Sequence, residues 1–229
     1  MISIIVPLHN SAATIERCMQ SIDSSATEAN VEVEAVFILD GPDEPTSEAI
    51  RVHTGSRLVH RLIHTQEHGG IASARNRGLA VATQPLVTFL DADDELTLQR
   101  LLYAKTNSIT GIAIGRQQLA TPDRTSPGLH ESAVRSNQIP YLTSLIAPRD
   151  TINQLGGFEG AFTLGDDWDL ILRARRREIP IAFIQETWVI RHVGDRNASH
   201  DTRTLTSDYF AAIRAHLRES RSDKDKHEH

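Results

Sequence analysis

Cysteine is nearly absent, Cys18 being the sole one in 229 residues. That excludes a disulfide within the chain and any thiolate metal site. Its neighbours in a helical pattern, Ile15 and Ile22, mark Cys18 for packing rather than for thiol chemistry. Long apolar runs are missing too: none reaches the roughly 18 residues that a membrane-crossing helix needs. The chain opens directly on a strand pattern with no leader-like segment, so a cytoplasmic location is expected, with at most peripheral association at an inner membrane face. Positive charge is in deficit, 24 Lys plus Arg against 30 Asp plus Glu for a net −6. A nucleic-acid binder usually carries a basic face, so nucleic acid is not an expected partner. An acidic protein that binds an anion needs a local counter-charge, and a divalent metal supplies one. Hydrophobic residues are somewhat sparse at 39%, yet they fall in blocks between polar loops. The chain is long enough to bury a substantial core as one large α/β domain or two small lobes.

Those blocks alternate in kind. Ile2 to Val6 reads as a buried strand ended by Pro7, followed by a helix from Asn10 or Ser11 that carries Ile15, Cys18, Met19 and Ile22 at helical spacing. Val33 to Leu39 is a second strand, Glu44 to Val52 a helix, Leu58 to Ile63 a third strand and Ile71 to Ala82 another helix. Strands alternating with short helices predict parallel β-α-β units with right-handed crossovers, so the first 95 or so residues read as a Rossmann-like half. Beyond Leu96 come a helix over Leu98 to Thr106 and strand patterns at Ile109 to Ile114 and Tyr141 to Ala147. A helix over Asp166 to Arg176 and a strand region from Ile181 to Val193 follow. Polar residues from Thr121 to Asn137 predict a mobile loop over the cleft. Leu205, Tyr209, Ile213 and Leu217 mark a terminal amphipathic helix, and 219–229, with no apolar residue, a disordered tail.

The most informative segment is Pro85-Leu86-Val87-Thr88-Phe89-Leu90 running into Asp91-Ala92-Asp93-Asp94-Glu95. A continuous apolar stretch suits a strand covered on both faces. Carboxylates at its end must be released into a cleft, because unpaired ions in a core cost several kcal/mol. In open α/β sheets the crevice at the carboxyl ends of the strands is where ligands bind, and hard oxygen ligands there suit Mg²⁺ or Mn²⁺ bridging to phosphates. A plainer reading is an acidic helix start, with Asp93 or Asp94 capping the segment that follows.

Several separate segments, taken in order, line up with one family. They are Ile5-Val6-Pro7-Leu8-His9-Asn10, Asp40-Gly41, Gly69 to Gly78 (GGIASARNRG), Asp91-Ala92-Asp93, Gly156-Gly157-Phe158, Gly165-Asp166-Asp167-Trp168-Asp169-Leu170 with Arg173, and Arg191-His192. The chain resembles the family-2 inverting glycosyltransferases of the GT-A fold, from Ile2 to about Ser199. The resemblance implies an α/β architecture, a Rossmann-like nucleotide-binding half fused to an acceptor half around one mostly parallel, partly mixed central sheet flanked by helices. It places a single domain over 1–218, with 1–95 holding the nucleotide and 96–218 the acceptor and the catalytic base. It implies a nucleotide-sugar donor, most simply a UDP-sugar, a hydroxyl acceptor and Mn²⁺ or Mg²⁺ as cofactor. Oligomeric state, a homodimer included, is left open.

The resemblance assigns roles residue by residue. Pro7, His9 and Asn10 line the nucleoside crevice, and Asp40 accepts a hydrogen bond from the base. The chain departs from the family pattern at Leu39, where many members have aspartate, and at Pro42, where serine is usual; Asp40-Gly41 also reads simply as a turn. Arg75 touches the donor or the acidic strand end, or forms a salt bridge of structural value alone. Asp91 and Ala92 lie at the donor sugar, while Asp93 ligates the metal. His192 is implied near the diphosphate as a second metal ligand, and a phosphate contact or a structural place suits it as well. Gly157, Phe158, Asp166 and Trp168 fall on the acceptor side, although Trp168 equally suits core packing. Acids in the first turn of the Asp166 helix also suit its dipole. Asp167 is implied as the base that takes the acceptor's proton, and at its ordinary pKa of ~3.9 it would be ionised at neutral pH. Two rivals carry different chemistry. A haloacid-dehalogenase-type phosphatase would use Asp91 as nucleophile, but Asp94-Glu95 do not suit its loop. A non-catalytic nucleotide-sugar-binding module would have no need of both Asp93 and Asp167.

Overall fold

The computed structural model describes residues 1–53, 58–120, 142–160 and 165–192, and 207–216 apart from 209, 212 and 215. The expected loop over Thr121 to Asn137, the tail and most of the terminal-helix positions lie outside these residues. Ile213 and its described neighbours between 207 and 216 are helical.

The first half alternates as its periodicity predicts. β1 (Ile2–Leu8), α1 (Ile15–Ala29), β2 (Val33–Leu39), α2 (Glu44–Val52), β3 (Leu58–His64), α3 (Ile71–Val81) and β4 (Leu86–Phe89) follow one another. Then come β5 (Glu95–Leu96), α4 (Leu98–Thr106), β6 (Ile112–Leu119), a 3₁₀ turn (Leu142–Ser144), β7 (Leu145–Pro148), α5 (Arg149–Leu155), α6 (Asp166–Arg176) and β8 (Ile181–Arg191). All eight strands join one sheet in the order β3-β2-β1-β4-β7-β6-β8-β5. β1 to β4 run parallel to one another, and so do β6 and β8, while β7 is antiparallel to both its neighbours and β5 is antiparallel to β8. This is a mixed α/β sheet of the kind the resemblance implies, with the carboxyl ends of β1, β2, β3 and β4 along one edge.

The period-2 rule sorts side chains to the two sheet faces. Ile2, Ile4, Val6 and Leu8 of β1 pack with Cys18, Met19 and Ile22 of α1, whereas Ile5 points to the other side with Val36, Ile38 and Leu79. α3 lies close on that second side because residue 78 is glycine: a Cβ there would meet Ile5 Cγ2 at 2.3 Å.

Several expected boundaries move. Pro7 does not end β1, which runs to Leu8; β4 pairs only with Ile2 to Ile5, so a residue with no N–H at 7 leaves no gap in that ladder. α1 begins at Ile15 rather than at Asn10 or Ser11, because Asn10 is left-handed (φ 54°) and the N–H groups of Thr14 and Ile15 both turn back to Ser11 O. β6 starts at Ile112 and runs to Leu119, past the apolar run, where Arg116 and Gln118 face out and Gln117 faces in. The strand pattern at Tyr141 to Ala147 divides into the 3₁₀ turn and β7.

Candidate active site

The acidic strand end opens as a tight turn. Asp94 N–H donates to Asp91 O at 3.1 Å, which folds three carboxylates together: oxygens of Asp91, Asp93 and Asp94 lie within 4.8 Å of one another. Neither Asp93 nor Asp94 caps the following helix, whose N-cap is Thr97. Asp94 is nearly inaccessible, at 1% exposure. One of its oxygens accepts the His192 backbone N–H at 3.1 Å; the other has no hydrogen-bond donor among the described residues and faces Arg191 Nε at 3.8 Å. Burial first, and the neighbouring Asp91 charge second, hold the carboxyls of Asp93 and Asp94 above the ordinary carboxylate range. Clustered hard oxygens, one of them buried without a donor, fit a divalent cation such as Mg²⁺ or Mn²⁺. Asp94 is the ligand candidate that reading the D-x-D pattern alone misses; the signal was a third acid directly after it.

His192 stands beside this cluster. Its ring Nε2 is 2.5 Å from Glu95 Oε1, so the imidazole is engaged with Glu95. Arg17 braces the same turn from α1, donating to Asp93 O at 2.5 Å.

Arg75 is the centre of the site. It projects from α3, is 3% exposed, and its two terminal nitrogens divide between the acids. Nη2 reaches Asp91 Oδ1 at 3.4 Å, while Nη1 reaches Asp166 Oδ2 at 2.5 Å and Asp167 Oδ1 at 3.6 Å. One buried cation thus holds the metal-type cluster and the first turn of α6 to each other. Phe158 lies under it, 5.9 Å from the guanidinium carbon, and packs edge-on against Phe89 at 5.0 Å. Gly157 and Phe158 are placed by Asn76, whose side-chain amide donates to Phe158 O and accepts Phe158 N–H, both at 2.8 Å. Gly157 has φ 72°, and a Cβ there would meet Asn76 Oδ1 at 2.4 Å. Phe158 is 4% exposed, so it borders the site through Arg75 rather than as an open wall. Trp168 is half-buried on α6.

Asp167 departs from its expected titration. Oδ2 accepts the Leu142 N–H at 2.9 Å, but burial and then the adjacent Asp166 charge raise its proton affinity, and Arg75 only partly offsets them. Its carboxyl lies well above the ordinary ~3.9, not at it. Asp166 serves as the main ion-pair partner of Arg75, and Asp169 pairs with Arg173 at 2.6 Å.

Just past the end of β2, Asp40 is 4% exposed and already occupied. Its two oxygens accept the N–H groups of Gly69 and Gly70 at 2.8 Å each, and His68 Nδ1 lies 2.7 Å from Oδ2. A carboxylate has about four acceptor positions, so a further donor can be taken, but the carboxylate also ties down the loop before α3. His9 and Asn10 are exposed and Pro7 is half-buried at the end of β1, with the His9 and His68 rings 4.3 Å apart.

Residues 3–152 match Glycosyl transferase family 2. The chain belongs to that family. A validoxylamine A glucosyltransferase from Streptomyces hygroscopicus subsp. jinggangensis is 24% identical over 259 aligned positions, which cover 94% of this chain and 61% of that protein. TarS of S. aureus in complex with UDP-GlcNAc superposes with a TM-score of 0.72 at 16% identity, covering 94% of this chain and 65% of that one. The mannosyltransferase PcManGT from Pyrobaculum calidifontis, in complex with GDP-Man and Mn²⁺, gives 0.71 at 21% identity, covering 93% and 64%. These structures establish the GT-A fold. The chain spans under two thirds of the length of each of these relatives. The family assignment sets aside the phosphatase reading of Asp91. The matched span ends before α6, so the family match does not itself extend to Asp167. Among the described residues no helix is long and apolar enough to cross a membrane.

Proposed function

We propose that this chain is a metal-dependent inverting glycosyltransferase that moves a sugar from a UDP-sugar to a hydroxyl acceptor. The observation that carries the reading is Arg75, which joins the Asp91 cluster to Asp167 by its two terminal nitrogens. A leaving-group side and a proton-accepting side therefore flank one fixed cation. Asp93 and Asp94, with Asp91, would hold Mn²⁺ or Mg²⁺, whose chemistry there is to neutralise a departing diphosphate. His192, whose backbone N–H is held by Asp94, would meet the same diphosphate. Pro7, His9, Asn10 and Asp40 border the nucleoside; of the two neighbours TarS carries UDP-GlcNAc and PcManGT carries GDP-Man, and the UDP-sugar is taken here as the donor to be tested.

In a single displacement with inversion, the acceptor oxygen attacks the face opposite the leaving group and must lose its proton as the bond forms. Asp167 receives that proton. Its raised proton affinity brings it nearer the operating pH, which is where a general base works best. Arg75 faces one of its oxygens at 3.6 Å, and Leu142 N–H fixes the other. Trp168, Gly157 and Phe158 border the acceptor side.

The reading is tested by thermal-shift titration with UDP, GDP and their sugars, with and without Mn²⁺. A ligand at 100 times its dissociation constant stabilises by about 2.7 kcal/mol. Stabilisation by UDP that requires Mn²⁺ and is lost in Asp93→Ala is expected. Equal stabilisation without metal, or in the Asp93 variant, would remove Asp93 from a metal site, and preference for GDP would reassign the donor.

A further inference from the structure

Arg100 is fully buried on α4, yet among the described residues no carboxylate bonds or pairs with it. Its guanidinium donates only to neutral oxygens: Thr143 O at 2.6 Å, Phe89 O at 2.9 Å, Leu145 O at 3.0 Å, and Thr88 Oγ1. A cation so placed is expensive, and an apolar side chain of similar volume would fill the space more cheaply. Burial pulls its pKa down to about 9, so it stays cationic at neutral pH.

The four oxygens belong to two segments that both lead to the site. Thr88 and Phe89 are the last residues of β4, and Phe89 stands two positions before Asp91. Thr143 is the middle residue of the 3₁₀ turn and Leu145 follows it, and Leu142 at the head of that turn donates its N–H to Asp167 Oδ2. Thr88 Oγ1 adds a bond to Leu145 O at 2.5 Å, and Gln117 of β6 donates to Thr143 Oγ1 at 2.7 Å. A planar fork with fixed donor directions can hold several carbonyls in one register, and an ammonium cannot reproduce it.

We propose that Arg100 is a positioning residue for glycosyl transfer, pinning the Leu142 turn to the end of β4 so that Asp167 stands at a set distance from the Asp91 cluster. The proposal rests on the reading of Asp167 as general base. Misplacing a catalytic group by about 1 Å can cost on the order of 100-fold in rate, so the effect belongs in turnover and not in donor binding.

The test compares the full chain with Arg100→Lys, Asp167→Asn and the double variant. It reads hydrogen exchange at the Leu142 amide, UDP affinity with Mn²⁺ by calorimetry, and UDP release from UDP-GlcNAc per folded molecule. Arg100→Lys is expected to speed exchange at Leu142, keep UDP affinity within twofold and slow UDP release by about 10- to 100-fold. It should add nothing further in the Asp167→Asn background. Where Arg100→Lys fails to fold, Thr88→Val removes one of the four acceptors at nearly constant shape and carries the same readouts. Parent-like UDP release from a folded variant, or a loss just as large on top of Asp167→Asn, would overturn the proposal. Parent-like release from Asp167→Asn alone would instead mark failure of the base reading beneath it.

Discussion

Replacing Arg75 with methionine is the sharpest perturbation of the site's electrostatics. Arg75 and Asp166 have side chains only 4% and 3% exposed, and Asp167 is 18% exposed. Removing the cation leaves Asp91, Asp166 and Asp167 without their shared counter-charge, although Asp167 keeps the Leu142 N–H. Breaking a buried pair by deleting one member costs about 3–5 kcal/mol. At 2–4 °C per kcal/mol for a chain of this size, that is a loss of roughly 6–20 °C in Tm near neutral pH. The loss should depend on pH in a defined direction. Without the guanidinium, burial and then the Asp166 charge hold the Asp167 carboxyl, unopposed by Arg75, still further above the ~3.9 of an unfolded chain. The folded variant then binds protons more readily than its unfolded form, so its stability falls as pH rises through the raised range. Thermal unfolding of parent and variant from pH 5 to pH 8 is the assay. The gap between them should be widest at pH 8 and narrow toward pH 5. A gap that is constant with pH, or that widens on acidification, would refute the claim that Arg75 balances these acids.

Two further predictions concern the ends of β2. Glu34 is 5% exposed and accepts hydrogen bonds from Ser3, Thr83 N–H and Thr83 Oγ1, with Arg61 Nε at 3.3 Å. Burial works to raise its pKa, but these partners outweigh it and hold the carboxyl below 4.5. Glu34→Gln should therefore cost about 1.5–3 kcal/mol at neutral pH, and the difference from parent should close as pH drops below 4.5; a difference that persists in acid would count against the charge-assisted bonds. Asp40→Ala should lower Tm by freeing the Gly69 and Gly70 N–H groups and should also weaken uridine measured without metal by calorimetry below the transition. A stability loss with unchanged uridine affinity would leave Asp40 as a clip for the loop alone.

Much of the fold was legible because its first half is built from regular, strongly periodic pieces. β2, α2 and α4 begin and end where their apolar patterns do, since Asp40-Gly41-Pro42, the Asp43 cap and Thr97 punctuate them. What escaped had a weak local signal. β5 is two residues long, and α5 shows only Ile152 and Leu155 as a buried pair. β6 outruns its apolar stretch because its far half has one face exposed, where alternation replaces a continuous run. At the site, the residue types and their order pointed to the acids and to Arg75, but not to how they share charge. That Asp94 joins Asp91 and Asp93, and that Asp40 is spent partly on two glycine N–H groups, depends on how a turn closes. The raised proton affinity of Asp167 comes first from burial, which no spacing rule encodes, and then from the adjacent Asp166. Arg100 reads as an ordinary helix-face arginine until the sheet folds over it.

The central claim is single-displacement transfer with Asp167 as base, and one NMR time course tests it. The parent and Asp167→Asn are given Mn²⁺ and the nucleotide sugar that stabilises the parent most, and the anomer of the first product is followed before mutarotation. The parent is expected to invert the donor's anomeric configuration. Asp167→Asn is expected to turn over about 10²–10⁴ more slowly, with donor affinity within a few-fold. Retained configuration, or turnover in the variant close to the parent's, would contradict the claim.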